Sequence, residues 1–490
     1  MDEEKYLEML ERRYQKIVEE LLDGIDAGDF ADLKKIPPRY KYKHLCALLY
    51  YAYVISNGRQ YYQKIYDLVM AHGKYHISEK IRNHETIKIA FLSISAAEWP
   101  AQRLYRLLEK NDKIETYVMV CPLTDRDPAD ARLTYQKTYD FFVREGYAVK
   151  SAYDFEKNET ITWEQNGGVP DMVIHVTPWY ESLFDEYQIE NLPLTCLNCY
   201  VPYGMDISDN PENHYIINFG YNKQFMNMVW RIYADSEINL RGYQTYGTVQ
   251  GRNVRYSGYC KMDHFFQTHD YTEQDIRKLW KIPSHTEIHQ MKRLIIAPHH
   301  SVMDDLILSY STFHKNLYFL LYLAKKYENE ITFIFKPHPN LRFRSVQAGV
   351  FKNLDEYDAY MELWNALPNA RTVDEDDYLK IFETSDGMIM DSASFIAEYM
   401  YVNKPLLYLE KCTSSTFSEL GMKIMECHYK ADGTDYFGIG QFVQKVILQG
   451  EDVMKGKREK VLENELNYKK KNGCLASEFI YKDIISEIGL

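Results

Sequence analysis

Twice along this chain, short apolar runs alternate with helical stretches, and such alternation specifies a parallel sheet with helices on both faces. The first series takes in strands at 87–94, 116–121, 171–176 and 194–198, with helices from about 98 to 110 and around 130–145. The turn Tyr200-Val-Pro-Tyr-Gly204 follows, and the segment 253–259 closes this half. The second series takes in strands at 293–297, 331–335, 387–390 and 405–409, with helices at about 311–328, 376–384 and 394–402. Thr272 to Glu287 reads as a linker helix and loop between the two.

A chain of 490 residues is too long for one core. Ahead of the first strand, Leu7, Leu10, Tyr14, Ile17 and Leu21 recur at helical spacing, Gly24 ends the run, and a second helical stretch covers roughly 42–69. The predicted division is a helical accessory region at 1–85, a Rossmann-like domain at 86–270, a second at 290–450, and helices at 451–490. The accessory helices either pack on the neighbouring domain or form a contact in a homo-oligomer. The fold class is α/β, and two doubly wound halves in tandem match the two-domain architecture called GT-B, whose active site is the cleft between the halves.

An apolar fraction of 46% and a charged fraction of 26% exclude a disordered chain. The net charge of −13 and a pI near 5.7 argue against nucleic acid as a partner, because binding a phosphate backbone needs a surplus of Lys and Arg. Met1-Asp-Glu-Glu lacks a signal-peptide profile and the best apolar run, 44–55, is short, which predicts a cytoplasmic protein. Seven basic and three acidic residues between Lys455 and Lys471 read as a solvated helix face or as a weak attraction to the inner membrane surface. The eight cysteines (Cys46, Cys121, Cys196, Cys199, Cys260, Cys412, Cys427, Cys474) hold one Cys-x-x-Cys pair and no second, and read as reduced thiols. Neither a metal nor a cofactor is predicted.

Three strand ends of the second series carry polar groups, at the rim where open α/β sheets bind ligands. In 386–398 an apolar strand ends in Asp391, Ser392 and Ser394 and turns into a helix, a seat for phosphate, with Glu398 placed to accept ribose hydroxyls. Either serine alone is equally a helix cap. In Lys336-Pro-His-Pro339, Lys336 and His338 are two apart at a strand end, where a cation and an imidazole can neutralise or protonate a leaving phosphate. His338 in a hydrogen-bonded turn is the alternative. In Ala297-Pro-His-His-Ser-Val302 the paired His299 and His300 have no third metal ligand at usable spacing, so phosphate contact or general-base work is the better expectation. Arg342 completes the donor-binding set, and Asp374-Glu-Asp-Asp377 reads as helix-start capping.

These residues resemble those of the CDP-glycerol glycerophosphotransferase family, which builds teichoic-acid and related capsular polyol-phosphate polymers. The similarity lies in Glu98-Trp-Pro100, Tyr200-Val-Pro-Tyr-Gly204, Gly258-Tyr259 with Asp263, Ala297-Pro-His-His300, Lys336-Pro-His-Pro339, Asp386 through Glu398 with Lys404-Pro405, and Asn472-Gly-Cys-Leu-Ala-Ser477. It spans about residues 86–485. The resemblance implies a GT-B fold, a CDP-linked donor bound in the C-terminal domain and transfer of glycerol phosphate to a membrane-linked glycan or lipid-linked acceptor. The family's Trp-His-Gly-Thr-Pro-Leu-Lys motif, whose histidine is a candidate base, is replaced by Leu197-Asn-Cys-Tyr-Val-Pro-Tyr-Gly204. His175, at the end of its strand, is then the candidate base, in competition with His300. The other readings are a glycosyltransferase using a nucleotide sugar, and a non-catalytic capsule-assembly protein that binds through a tyrosine-rich surface (43 Tyr).

Overall fold

The computed structural model describes Arg12, Lys16 and residues 40–54, 59–303, 308–373, 378–411 and 416–490. The stripe from Leu7 to Leu21, the acidic run 374–377 and Cys412 lie outside them. The chain forms two compact units, one of Met1–Gly204, Ile217–Lys261 and Tyr468–Leu490, the other of Met205–Ile216 and Met262–Asn467.

The first unit begins with helices α1 (Tyr42–Val54) and α2 (Arg59–Arg82). Its sheet holds β1 (Ile87–Ser93), β2 (Ile114–Val120), β3 (Val149–Ser151), β4 (Met172–His175), β5 (Leu197–Tyr200), β6 (Arg231–Ala234) and β7 (Val254–Tyr256). Every pairing is parallel and the order is β7-β6-β5-β4-β1-β2-β3. Winding starts at β1, runs outward to β3 and returns to β4 beside β1, so the switch point lies between β1 and β4. β1, β2 and β4 read as apolar runs because helices cover a parallel sheet on both faces. α3 (Gln102–Glu109) follows β1, and α4 (Pro128–Arg144) starts where Asp127 accepts the N–H groups of Ala129 and Asp130 and Pro128 supplies a preset φ.

α1 and α2 are fastened to this sheet through buried tyrosines. Tyr42 donates to the Cys196 carbonyl at 2.9 Å, Tyr62 to that of Asn227 at 2.7 Å and Tyr66 to that of Val229 at 2.6 Å. Lys80 pairs with the buried Asp171 at 2.7 Å. The helix Ala476–Ile488 packs into the same unit, with Ile480, Ile484 and Ile488 buried and Asp483 held by Arg231. Tyrosine here is largely core material: Tyr105, Tyr117, Tyr187, Tyr233, Tyr259 and Tyr310 are all buried to within 2%. The expected tyrosine-rich surface is corrected accordingly; these rings sit inside and, Tyr117 apart, spend their hydroxyls on backbone carbonyls and neighbouring side chains.

The second unit repeats the scheme with β8 (Lys292–Ala297), α5 (Phe313–Lys326), β9 (Ile331–Phe335), β10 (Ala370–Thr372), α6 (Tyr378–Thr384), β11 (Gly387–Met390), α7 (Ser394–Glu398), β12 (Leu406–Glu410) and β13 (Tyr429–Asp432). The order β10-β9-β8-β11-β12-β13 is again wholly parallel. Its core centres on Phe313, Phe335, Tyr360 and Trp364, with Phe335 stacked on Trp364 at 4.6 Å. Both units are therefore doubly wound and Rossmann-like, as the alternation predicts. Among the described residues, no helix is long and apolar enough to cross a membrane. The basic stretch 455–471 is not a uniform solvated face, since Arg458 is fully buried and paired with Asp452.

Candidate functional site

β8, β9 and β11 are neighbours, and the winding reverses between β8 and β11. The carboxyl ends of these strands surround the place where a doubly wound sheet receives ligands. The backbone ties the three exits together. The Lys336 N–H donates to the Ile296 carbonyl at 2.8 Å, that of His338 to Pro298 at 3.0 Å, and that of His299 to Asp391 Oδ1 at 2.6 Å.

This lacing gathers His299, His300 and His338. Their ring centroids lie 4.1 Å (His299–His300), 4.2 Å (His300–His338) and 5.2 Å (His299–His338) apart, and one nitrogen of each falls within 4.8 Å of the others. All three rings are half-buried. His299 Nδ1 stands 2.7 Å from the Ser301 hydroxyl, and His338 Nδ1 accepts the Asn340 N–H at 3.1 Å. Burial, and then the neighbouring His300 and His338, push the His299 ring well below the usual histidine range, so it is neutral at pH 7. Sequence spacing offers His299 and His300 no third partner; the fold supplies His338, 38 residues away. Such a group can accept charge from a phosphate by taking up protons, and its three nitrogens also satisfy the distances of a cation site.

Lys336 is buried beside the cluster's strand exit, with its ammonium 5.8 Å from the Tyr378 ring and 6.0 Å from that of Phe395. Tyr378 also donates to the buried Glu398. Ser392 and Ser394 hydroxyls lie 3.2 Å apart, and neither caps α7, whose start at Ala393 has no side-chain cap.

Two donor-binding expectations are corrected. Asp391 is not an open contact for phosphate: it accepts from the His299 N–H, the Thr312 N–H, the Thr312 hydroxyl at 3.0 Å and the Ser311 hydroxyl at 3.2 Å. A carboxylate saturated in this way clamps the exits of β8 and β11 to the start of α5, and its own charge repels phosphate. Burial pushes it up to about 6 despite those donors. Arg342 is engaged by Asp358 in a bidentate pair, at 2.8 and 2.6 Å.

In the first unit His175 is corrected too. It lies within the sheet, 2% exposed, with Nε2 2.8 Å from Asn198 Oδ1 and its ring edge-on to Phe225 at 5.1 Å. An amide oxygen only accepts, so Nε2 carries the proton, and burial lowers the ring to about 4. This is a satisfied core histidine with no access for an acceptor hydroxyl.

Glu98, noted in the sequence only as part of Glu98-Trp-Pro100, carries a perturbed carboxyl in the first unit. It ends the short 3-10 turn Ala96–Glu98 directly after β1, where Ser95 caps the Ala97 N–H. Trp99 anchors the turn by packing on Phe91, Phe142 and Tyr147. Glu98 Oε2 is enclosed with no hydrogen-bond partner, and burial raises the carboxyl from 4.5 to about 7 against the opposing pull of Arg126 and Lys261.

No family model matches the chain, and no curated protein does. The family resemblance therefore rests on the motifs quoted above. Solved structures of similar outline include S. aureus MnaA with UDP (14% identity, 83% of this chain and 98% of that chain, TM-score 0.49). Others are the UDP-GlcNAc 2-epimerase from Neisseria meningitidis bound to UDP-GlcNAc (14%, 82% and 100%, 0.48) and the wall teichoic acid polymerase TagF H548A (12%, 91% and 98%, 0.47). Scores below 0.5 decide nothing about chemistry, and the fold stands on its own sheet order.

Proposed function

We propose that this protein is a nucleotide-dependent transferase that moves glycerol phosphate, or a related polyol phosphate, from a CDP-linked donor to a cell-surface glycan or teichoic-acid-like acceptor. The observation that carries the reading is the convergence of His299, His300 and His338 at the switch point of the second sheet, beside the buried Lys336. Imidazoles and a desolvated ammonium at strand ends suit a pyrophosphate, whose bridging oxygen gains charge as the bond to phosphorus breaks. His338 is assigned to that leaving oxygen, Lys336 and the Ser392 and Ser394 hydroxyls to the non-bridging oxygens, and Glu398 to the ribose. Asp391 positions His299 and touches no ligand.

The acceptor hydroxyl must lose a proton as it attacks phosphorus, and His300, in the same cluster as His338, is assigned as its base. The motif resemblance favours a polyol phosphate over a sugar. A glycosyltransferase using a nucleotide sugar would employ the same cluster but break a different bond. Mass spectrometry of nucleotide-linked donors separates them: CMP release marks phosphodiester transfer, whereas a nucleoside diphosphate marks sugar transfer and overturns the reading.

A further inference from the structure

A second cluster of ligand-type side chains lies elsewhere in the same unit. His264 is on the 3-10 helix Cys260–Phe266, His269 on the loop leading to helix Glu273–Leu279, and Glu383 in the last turn of α6. His264 Nε2 is 2.9 Å from Glu383 Oε2 and His269 Nδ1 is 3.2 Å from both carboxylate oxygens. The two rings stack at 4.0 Å, which brings one nitrogen of each to the same carboxylate, and all three ligand atoms lie within 4.8 Å of one another. Tyr271 donates to Glu383 Oε2 at 2.6 Å, the outer hydrogen bond that orients a ligating carboxylate. Exposures of 17%, 29% and 23% for His264, His269 and Glu383 leave water access for a fourth position.

We propose that His264, His269 and Glu383 bind one divalent cation of the zinc class. Bond lengths of about 2.1 Å place the ligand atoms of a tetrahedral zinc roughly 3.4 Å apart, close to the 2.9 and 3.2 Å that separate the two imidazole nitrogens from the carboxylate. Two imidazole nitrogens and one carboxylate select zinc-like ions over magnesium or calcium, which take oxygen sets. The ion replaces the ring protons that otherwise face the carboxylate, and it pins the segment 262–272 to α6.

The test uses the full chain stripped of metal and titrated with Co2+, whose visible absorption reports tetrahedral ligation, followed by displacement with Zn2+. One saturable equivalent is expected in the wild type, lost in His269→Ala and Glu383→Gln and weakened about tenfold or more in Tyr271→Phe. His338→Ala, which alters the other histidine cluster, keeps it. Zn2+ is also expected to raise the melting temperature of the wild type and not that of Glu383→Gln. If His269→Ala fails to fold, Glu383→Gln, which preserves side-chain volume, decides. Absence of saturable binding in the wild type overturns the proposal, and so does an equivalent that survives Glu383→Gln but disappears in His338→Ala.

Discussion

At the switch point of the first sheet the histidine that ends β4 is sealed against Asn198 and Phe225, whereas at that of the second sheet three histidines stand half-exposed against one another. The winding order is of one kind in both sheets. What differs is where the chain places its imidazole relative to the last paired residue. His175 is still inside the ladder, in register with Leu92 and Tyr200. β8 ends at Ala297 and β9 at Phe335, so His299, His300 and His338 come two or three residues later. A paired residue is covered by the helices on the sheet's faces; a residue just past the pairing is free to turn over the rim. Two residues of displacement separate a core group from a candidate catalytic one.

The sharpest test of this contrast is His338→Ala, expected to lower turnover by roughly a hundredfold or more with the fold retained. Steady-state kinetics on purified, folded protein checks it, and near wild-type turnover would erase the distinction between the rims. His300→Ala comes next, with an expected loss of about a hundredfold in transfer by the same kinetics, and turnover within a few-fold of wild type would remove it as the base.

Among the first unit's groups, Glu98 is tested through stability. Its carboxyl titrates at about 7 in the folded chain and at about 4.5 unfolded, so between these values the native state holds the extra proton. The contribution to stability therefore falls as pH rises from 4.5 to 7 and is constant above, by roughly 3 kcal/mol at most. Denaturant melts of Glu98→Gln across that window should lack this component.

Glu398→Gln should weaken nucleotide binding only several-fold, because an amide accepts hydroxyl hydrogen bonds less strongly than a carboxylate. Calorimetry with a 2′,3′-dideoxy analogue should show a smaller change; equal losses would remove Glu398 from the ribose. Smallest in activity is His175→Ala, expected to leave turnover of the folded protein within about twofold. It should nonetheless cost about 1–3 kcal/mol of stability by leaving the Asn198 amide oxygen unpaired. A large catalytic defect there would restore His175 as the base.

Strands with continuous apolar runs were legible from sequence: 331–335 and 387–390 coincide with β9 and β11. β3, β6, β10 and β13 were not, because Val-Lys-Ser, Arg-Ile-Tyr-Ala, Ala-Arg-Thr and Tyr-Lys-Ala-Asp are short and carry polar or charged groups, and three of them flank the sheets or close their edges. The histidine-bearing strand ends of the second unit could be read, but their mutual approach could not, since it depends on lacing across β8, β9 and β11. Asp391 was legible as a strand-end carboxylate, yet the donors that saturate it come from residues 299–312. Glu98 was legible only as part of the motif Glu98-Trp-Pro100, and its raised carboxyl comes from enclosure after β1.

The alternation of the two units along the chain has a consequence for biosynthesis. The polypeptide passes from one unit to the other at 204/205, 216/217, 261/262 and 467/468. A ribosome that has released the first 261 residues has therefore delivered the whole first sheet, but not the helix whose Ile480, Ile484 and Ile488 cover part of that unit and whose Asp483 meets the buried Arg231. The first unit must wait, with an apolar face and an unmatched cation exposed, while the second is made in full. Order of synthesis and order of completion are thus reversed for most of the chain, and a nascent chain halted before residue 468 is the species that would most need a chaperone.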